Sequence, residues 1–125
     1  MYLYNPKKKK LTTITEQPFF GKTFAGEAGY YYGKTIRGRH GSLYSDIYFL
    51  PGKGGRERPL TYNERAFDPV VLDGTLYYLR NTGNGISLIA RKEGRGEARV
   101  LFSSISGEEL YDLSGLGNTL AAAFF

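Results

Sequence analysis

The chain has 125 residues, 41% of them hydrophobic, with 17 Gly, 11 Tyr and 8 Phe, a length that suits one domain with its own core and a mix of aromatics and turn formers that favours strands. It has no Cys, which excludes disulfides and thiolate metal sites and leaves the redox compartment open. The formal charge is +5 and the pI near 9.4, but much of the excess sits in Lys7 to Lys10 and in Lys34 to Arg39, less than nucleic-acid binding normally demands.

Residues 1–14 open the chain with an apolar run, Met1 to Tyr4, a turn at Asn5-Pro6-Lys7, and a second run ending in Leu11-Thr12. This reads as a hairpin. The apolar piece precedes the charges, an order unlike a signal peptide, and no run reaches the roughly 18 apolar residues of a membrane span. The expectation is a soluble protein of unspecified compartment. Lys7 to Lys10 fall on the turn and outer strand, where lysine protects an exposed edge from pairing; contact with nucleic acid or membrane is the alternative reading.

Residues 18–61 contain "PFFGKTFAGEAGYYYGK", then the loop "GKTIRGRHGSLYS", then the hairpin "DIYFLPGKGGRERPL". Residues 66–102 repeat that order with "FDPVVLDGTLYYLRNTGNG", an Asp-Gly turn between two strands, followed by "SLIARKEGRGEARVL". Gly55, Arg58 and Leu60 lie over Gly96, Arg99 and Leu101 at one constant spacing, and Tyr31-Tyr32 stand where Tyr77-Tyr78 stand later. Residues 110–125, "YDLSGLGNTLAAAFF" from Tyr111, restart the unit and carry it through two strands. With the four strands of a unit called a, b, c and d, the chain runs c-d, a-b-c-d, a-b-c-d, a-b. A repeat of this length signals stacked supersecondary units.

The pattern resembles the β-propeller repeats of the TolB and prolyl-oligopeptidase N-terminal type, on Asp73-Gly74 between the first strands of a blade and on Leu60-Thr61 and Leu11-Thr12 at the ends of others. The Trp-Ser-Pro-Asp-Gly core of such blades stands here as "VVLDG". The resemblance implies an all-β fold of four-stranded antiparallel blades. About three blades fall short of the four to eight of a ring. The expectation is therefore a six-bladed ring made by a homodimer, in which the N-terminal c-d pair of one copy completes the C-terminal a-b pair of the other, or membership of a larger propeller.

The candidate ligand face carries the expanded b-to-c loop, whose Lys34, Arg37, Arg39 and His40 supply donors for an anion, an acidic protein or an acidic peptide. The alternative is a solvated basic hairpin tip. Tyr30 and Tyr77 are candidate stacking platforms for a glycan, set against the packing of alternate rings between blades. Asp68, Asp73 and Asp112 read as turn residues whose carboxylates bond nearby amides. No Asp-x-Asp-x-Asp run suggests a metal, and no nucleophile elbow, His-Glu-x-x-His or phosphate loop is present. The function expected is a non-catalytic binding module without a cofactor. A regulatory propeller segment of a serine hydrolase and a carbohydrate-binding propeller are the alternatives.

Overall fold

A computed structural model describes residues 2–5, 7, 10–13, 19–37, 43–92, 97–104 and 110–124, and in these the chain is all strand and turn. The strands are β1 (Tyr2–Asn5), β2 (Lys10–Thr13), β3 (Phe19–Ala25), β4 (Gly29–Arg37), β5 (Leu43–Pro51), β6 (Arg58–Pro59), β7 (Ala66–Leu72), β8 (Thr75–Asn81), β9 (Ile86–Lys92), β10 (Arg99–Ser103), β11 (Leu110–Leu116) and β12 (Thr119–Phe124). Among the described residues no helix is long and apolar enough to cross a membrane.

The strands group as two, four, four and two. β1 pairs with β2; β3-β4-β5-β6 and β7-β8-β9-β10 are four-stranded meanders; β11 pairs with β12. Every pairing is antiparallel, as short turns between consecutive strands require. The b-to-c ladders are the longest: β4 and β5 run in register from Gly29↔Pro51 to Arg37↔Leu43, and β8 and β9 from Thr75↔Lys92 to Asn81↔Ile86. Within one chain the four-stranded sheets do not close into a ring, and the two terminal hairpins remain separate sheets.

Alternation along β8 explains how the sheets stack. Leu76 and Tyr78 point to one face, where they join Tyr31, Ile47, Phe49, Leu60, Ala66 and Ile89 in a buried cluster between the first and second four-stranded sheets. Leu79 points the other way, into a cluster with Val70, Leu110 and Leu113 against β11, with Tyr77 packed beside it. β7 accordingly packs on β3, β4 and β5, and β11 packs on β7, β8 and β9. The second sheet is covered on both faces near its first strands.

Each first strand carries a bulge at the same place in its sheet. The register slips between Phe20 and Thr23, between Phe67 and Val70, and between Tyr111 and Ser114. The residues in the slip adopt positive φ: Gly21 at 77°, Asp68 at 52° and Asp112 at 63°. Gly and Asp are residue types that tolerate this left-handed geometry. A bulge bends its strand and re-aims backbone amides. Here the re-aimed amides meet one carboxylate.

Candidate functional site

The three bulges converge on Asp68, which is 4% exposed. Its Oδ1 accepts from the Lys22 amide at 2.7 Å and its Oδ2 from the Leu113 amide at 3.2 Å, so one side chain ties the first strand of its own sheet to those on either side. Lys22 and Asp112 form an ion pair across the same junction. The aspartates expected in turns thus divide: Asp73 sits in the β7–β8 turn, whereas Asp68 and Asp112 are strand residues at bulges. Asp68 does bond amides, but amides of neighbouring sheets.

A second junction is built on the segment after β6. Asp46, 2% exposed, accepts from the Thr61 hydroxyl at 2.7 Å and from the amides of Asn63 and Glu64 at 2.9 and 3.0 Å. Thr61 in turn accepts from the Ile47 amide at 2.9 Å. This holds the loop so that Glu64 reaches the next sheet, where its Oε1 accepts from the Tyr78 hydroxyl at 2.7 Å. Arg80 Nη1 and Arg91 Nη1 stand 3.4 and 3.6 Å from its two oxygens. Burial pushes the Tyr78 hydroxyl well above the usual tyrosine range, and the Glu64 charge adds to the rise. The proton therefore stays on the tyrosine, donated to the carboxylate.

On the face of the first four-stranded sheet that Asp46 and Tyr48 share, away from Tyr31 and Phe49, Tyr32 and Lys34 both donate to Glu57. The Lys34 ammonium lies 4.9 Å from the centre of the Tyr48 ring, and Tyr32 stacks on Tyr48 at 6.5 Å. Burial raises Tyr32, helped by the Glu57 hydrogen bond and charge, and burial also raises Tyr48 against the opposing Lys34 charge. For Glu57 burial alone would raise the pKa, but the hydrogen bonds from Lys34 and Tyr32 with the Lys34 charge outweigh it and hold the carboxyl below its usual range. Lys34, expected as a ligand-binding cation, is thereby engaged by Glu57.

Arg37 ends β4; its side chain, with Arg39 and His40, lies outside the described residues, as do Lys8 and Lys9. Tyr30 is half-buried opposite Leu50, and Tyr77 is half-buried against the cluster of Leu79 and Leu113. Asp46, Glu57 and Glu64 were not visible as partners in the sequence. Their signal was slight: Thr61, two residues past β6, is the residue through which Asp46 works.

The last strand of the second sheet is solvent-exposed. All five residues of β10 are exposed, with Val100 at 52%, Leu101 at 43% and Phe102 at 42%. Register puts Val100 on the face of Ile89 and Phe102 on the face of Leu88. On the Val100 side the neighbouring last strand, β6, is only two residues long. On the Phe102 side the neighbouring sheet consists of β11 and β12 alone, and β12 is paired along one edge only.

No family model, curated protein or solved structure matches the chain.

Proposed function

We propose that the chain is a non-catalytic binding module of propeller blades that works as a pair, each copy inserting its β1–β2 hairpin between β12 and β10 of the other to make a six-bladed ring. The observation that carries this is the open edge of β12 on the side of β10 where Phe102 is exposed. In both complete sheets the b strand is joined to a c strand by the longest ladder, and β12 is a b strand with that edge vacant. An open edge next to the exposed Phe102 ring favours strand addition over solvent. The added hairpin lies on the Phe102 side of β10, and covering that side chain contributes at most about 1.5 to 3 kcal/mol at each junction. A two-fold pair has two such junctions, and this apolar term adds to the new β12 strand ladders against an association cost of about 4 to 15 kcal/mol. With Lys34 engaged by Glu57, the donors left in this reading for an acidic partner are Arg37, Arg39 and His40.

Light scattering of the chain tests the pairing. Twice the 14.0 kDa chain mass is expected. Ala122 is exposed, and the β11–β12 register turns its amide to the open edge. Ala122→Pro removes that donor without touching the β11 ladder and is expected to give monomer, as is Phe102→Glu. A folded wild-type monomer, or a dimer indifferent to both changes, sinks the reading.

A further inference from the structure

A cavity of about 500 Å³ opens where the hairpin turns of three sheets meet, at the a-to-b end of the strands. That volume lies within the roughly 300 to 1,000 Å³ typical of small-molecule sites. Its apolar wall is Phe24, Tyr31, Val71 and Leu72, and its rim carries Glu27 and Asp73. Tyr31 is buried and the other three are half-buried, so part of this wall stays open to the mouth.

The turns explain why the wall is not covered. Asp73 and Gly74 both have positive φ, at 48° and 71°, in a two-residue turn closed by Leu72↔Thr75. Gly117 takes the corresponding place between Leu116 and Thr119 at 62°. These are the tight turns that twisted hairpins favour, and they bring no bulky side chain over the gap. A Cβ at Gly74 or Gly117 would meet nothing within 4 Å.

The charge of the lining is the second observation. The chain has 17 Lys and Arg against 12 Asp and Glu, yet no basic residue lines this cavity and two acidic ones do. Neither Glu27 nor Asp73 has an ion-pair partner among the described residues. Beside an apolar wall that excludes water on one side, two carboxylates attract a cation and repel an anion more than they would in open solvent.

We infer that this cavity is a binding site for an organic cation with an apolar body, the chemistry that a lysine or arginine side chain next to an aromatic residue offers in a peptide. The apolar body covers Phe24, Tyr31, Val71 and Leu72 while the cationic head stays at the mouth between Glu27 and Asp73. The lining comes from one chain and includes no residue of β10 or β12, so the site stands whether or not two copies pair.

Calorimetric titration of the chain with phenethylammonium, 2-phenylethanol and 3-phenylpropanoate tests this at low salt. The expected order is cation, then neutral alcohol, then anion, with the cation ahead of the alcohol by about fivefold, as two partly solvated ion contacts allow. Added salt should narrow that gap. The ring resonances of Phe24 and Tyr31 should shift with the cation. Glu27→Gln with Asp73→Asn keeps side-chain size, Asn being tolerant of the left-handed turn position, and should bring cation and alcohol to equal affinity. Equal affinities in the wild type, a preference that survives the double variant, no binding of the cation, or binding that leaves Phe24 and Tyr31 unmoved would each overturn the assignment.

Discussion

Gly21 faces Asp68 so closely that a Cβ on the glycine would stand 2.3 Å from Asp68 Oδ1. The same glycine has φ of 77°. Two independent costs therefore meet in Gly21→Ala: a left-handed residue with a side chain, about 1 to 2 kcal/mol, and displacement of a carboxylate that bonds the Lys22 amide, about 1 to 3 kcal/mol. The expected loss of stability is about 2 to 5 kcal/mol, read by urea unfolding. A loss within about 0.5 kcal/mol, the usual scatter of a neutral surface change, would mean that the close approach is not sustained in solution.

Asp68 itself gives a sharper test, because Asn keeps its shape and its tolerance of positive φ. In Asp68→Asn the amide group turns one donor toward an N–H that needs an acceptor, so either Lys22 or Leu113 loses its bond. The expected cost is about 1 to 3 kcal/mol. Hydrogen exchange identifies the amide released. Faster exchange at Lys22 or Leu113, with the β8–β9 ladder still protected, is the expected pattern, and unchanged exchange at both would remove Asp68 from its bridging role.

Glu64 links two sheets through one carboxylate, and the geometry ranks its partners. The Tyr78 hydroxyl is at 2.7 Å and the two arginine contacts are at 3.4 and 3.6 Å, so the tyrosine bond dominates. Tyr78 is fully buried. Glu64→Ala then strands its hydroxyl, at a cost of about 1 to 3 kcal/mol, whereas Tyr78→Phe removes donor and need together. A double-mutant cycle on Glu64→Ala and Tyr78→Phe should return a coupling of about 1 to 2 kcal/mol. Additivity would show that the two do not act as a pair.

The grouping of strands was legible because turn residues punctuate the chain and the spacing of Gly55, Arg58 and Leu60 against Gly96, Arg99 and Leu101 repeats. The four-stranded antiparallel sheets follow from those signals. The bulges were less legible. Phe20-Gly21, Phe67-Asp68 and Tyr111-Asp112 form a repeated aromatic-then-Gly/Asp pair, but a lone aspartate in a sequence reads as a turn, and only the stacking of sheets brings Lys22 and Leu113 to Asp68. Lys34 shows the same limit. Its charge is plain in the sequence, yet whether it faces solvent or Glu57 depends on a turn residue that β5 and β6 carry back across the sheet.

The buried tyrosines make stability depend on alkaline pH. Burial raises both Tyr32 and Tyr78, and the carboxylates of Glu57 and Glu64 raise them further. A tyrosine in the unfolded chain keeps its usual value of 10.0. Between that pH and the higher folded value the folded state holds more protons, so stability is whole below about pH 10 and falls as pH rises beyond it. Glu57 works in the other direction, its lowered pKa giving stability that is present above about 4.5 and fades as pH drops through the folded value. Tyr32→Phe with Tyr78→Phe removes the alkaline groups. Thermal melts by circular dichroism from neutral to strongly alkaline pH should show the double variant less stable than wild type at pH 7, since the Glu57 and Glu64 carboxylates each lose a hydroxyl donor, yet with a shallower decline above pH 10. Parallel declines in the two proteins would show that ionisation of these two hydroxyls does not limit the fold.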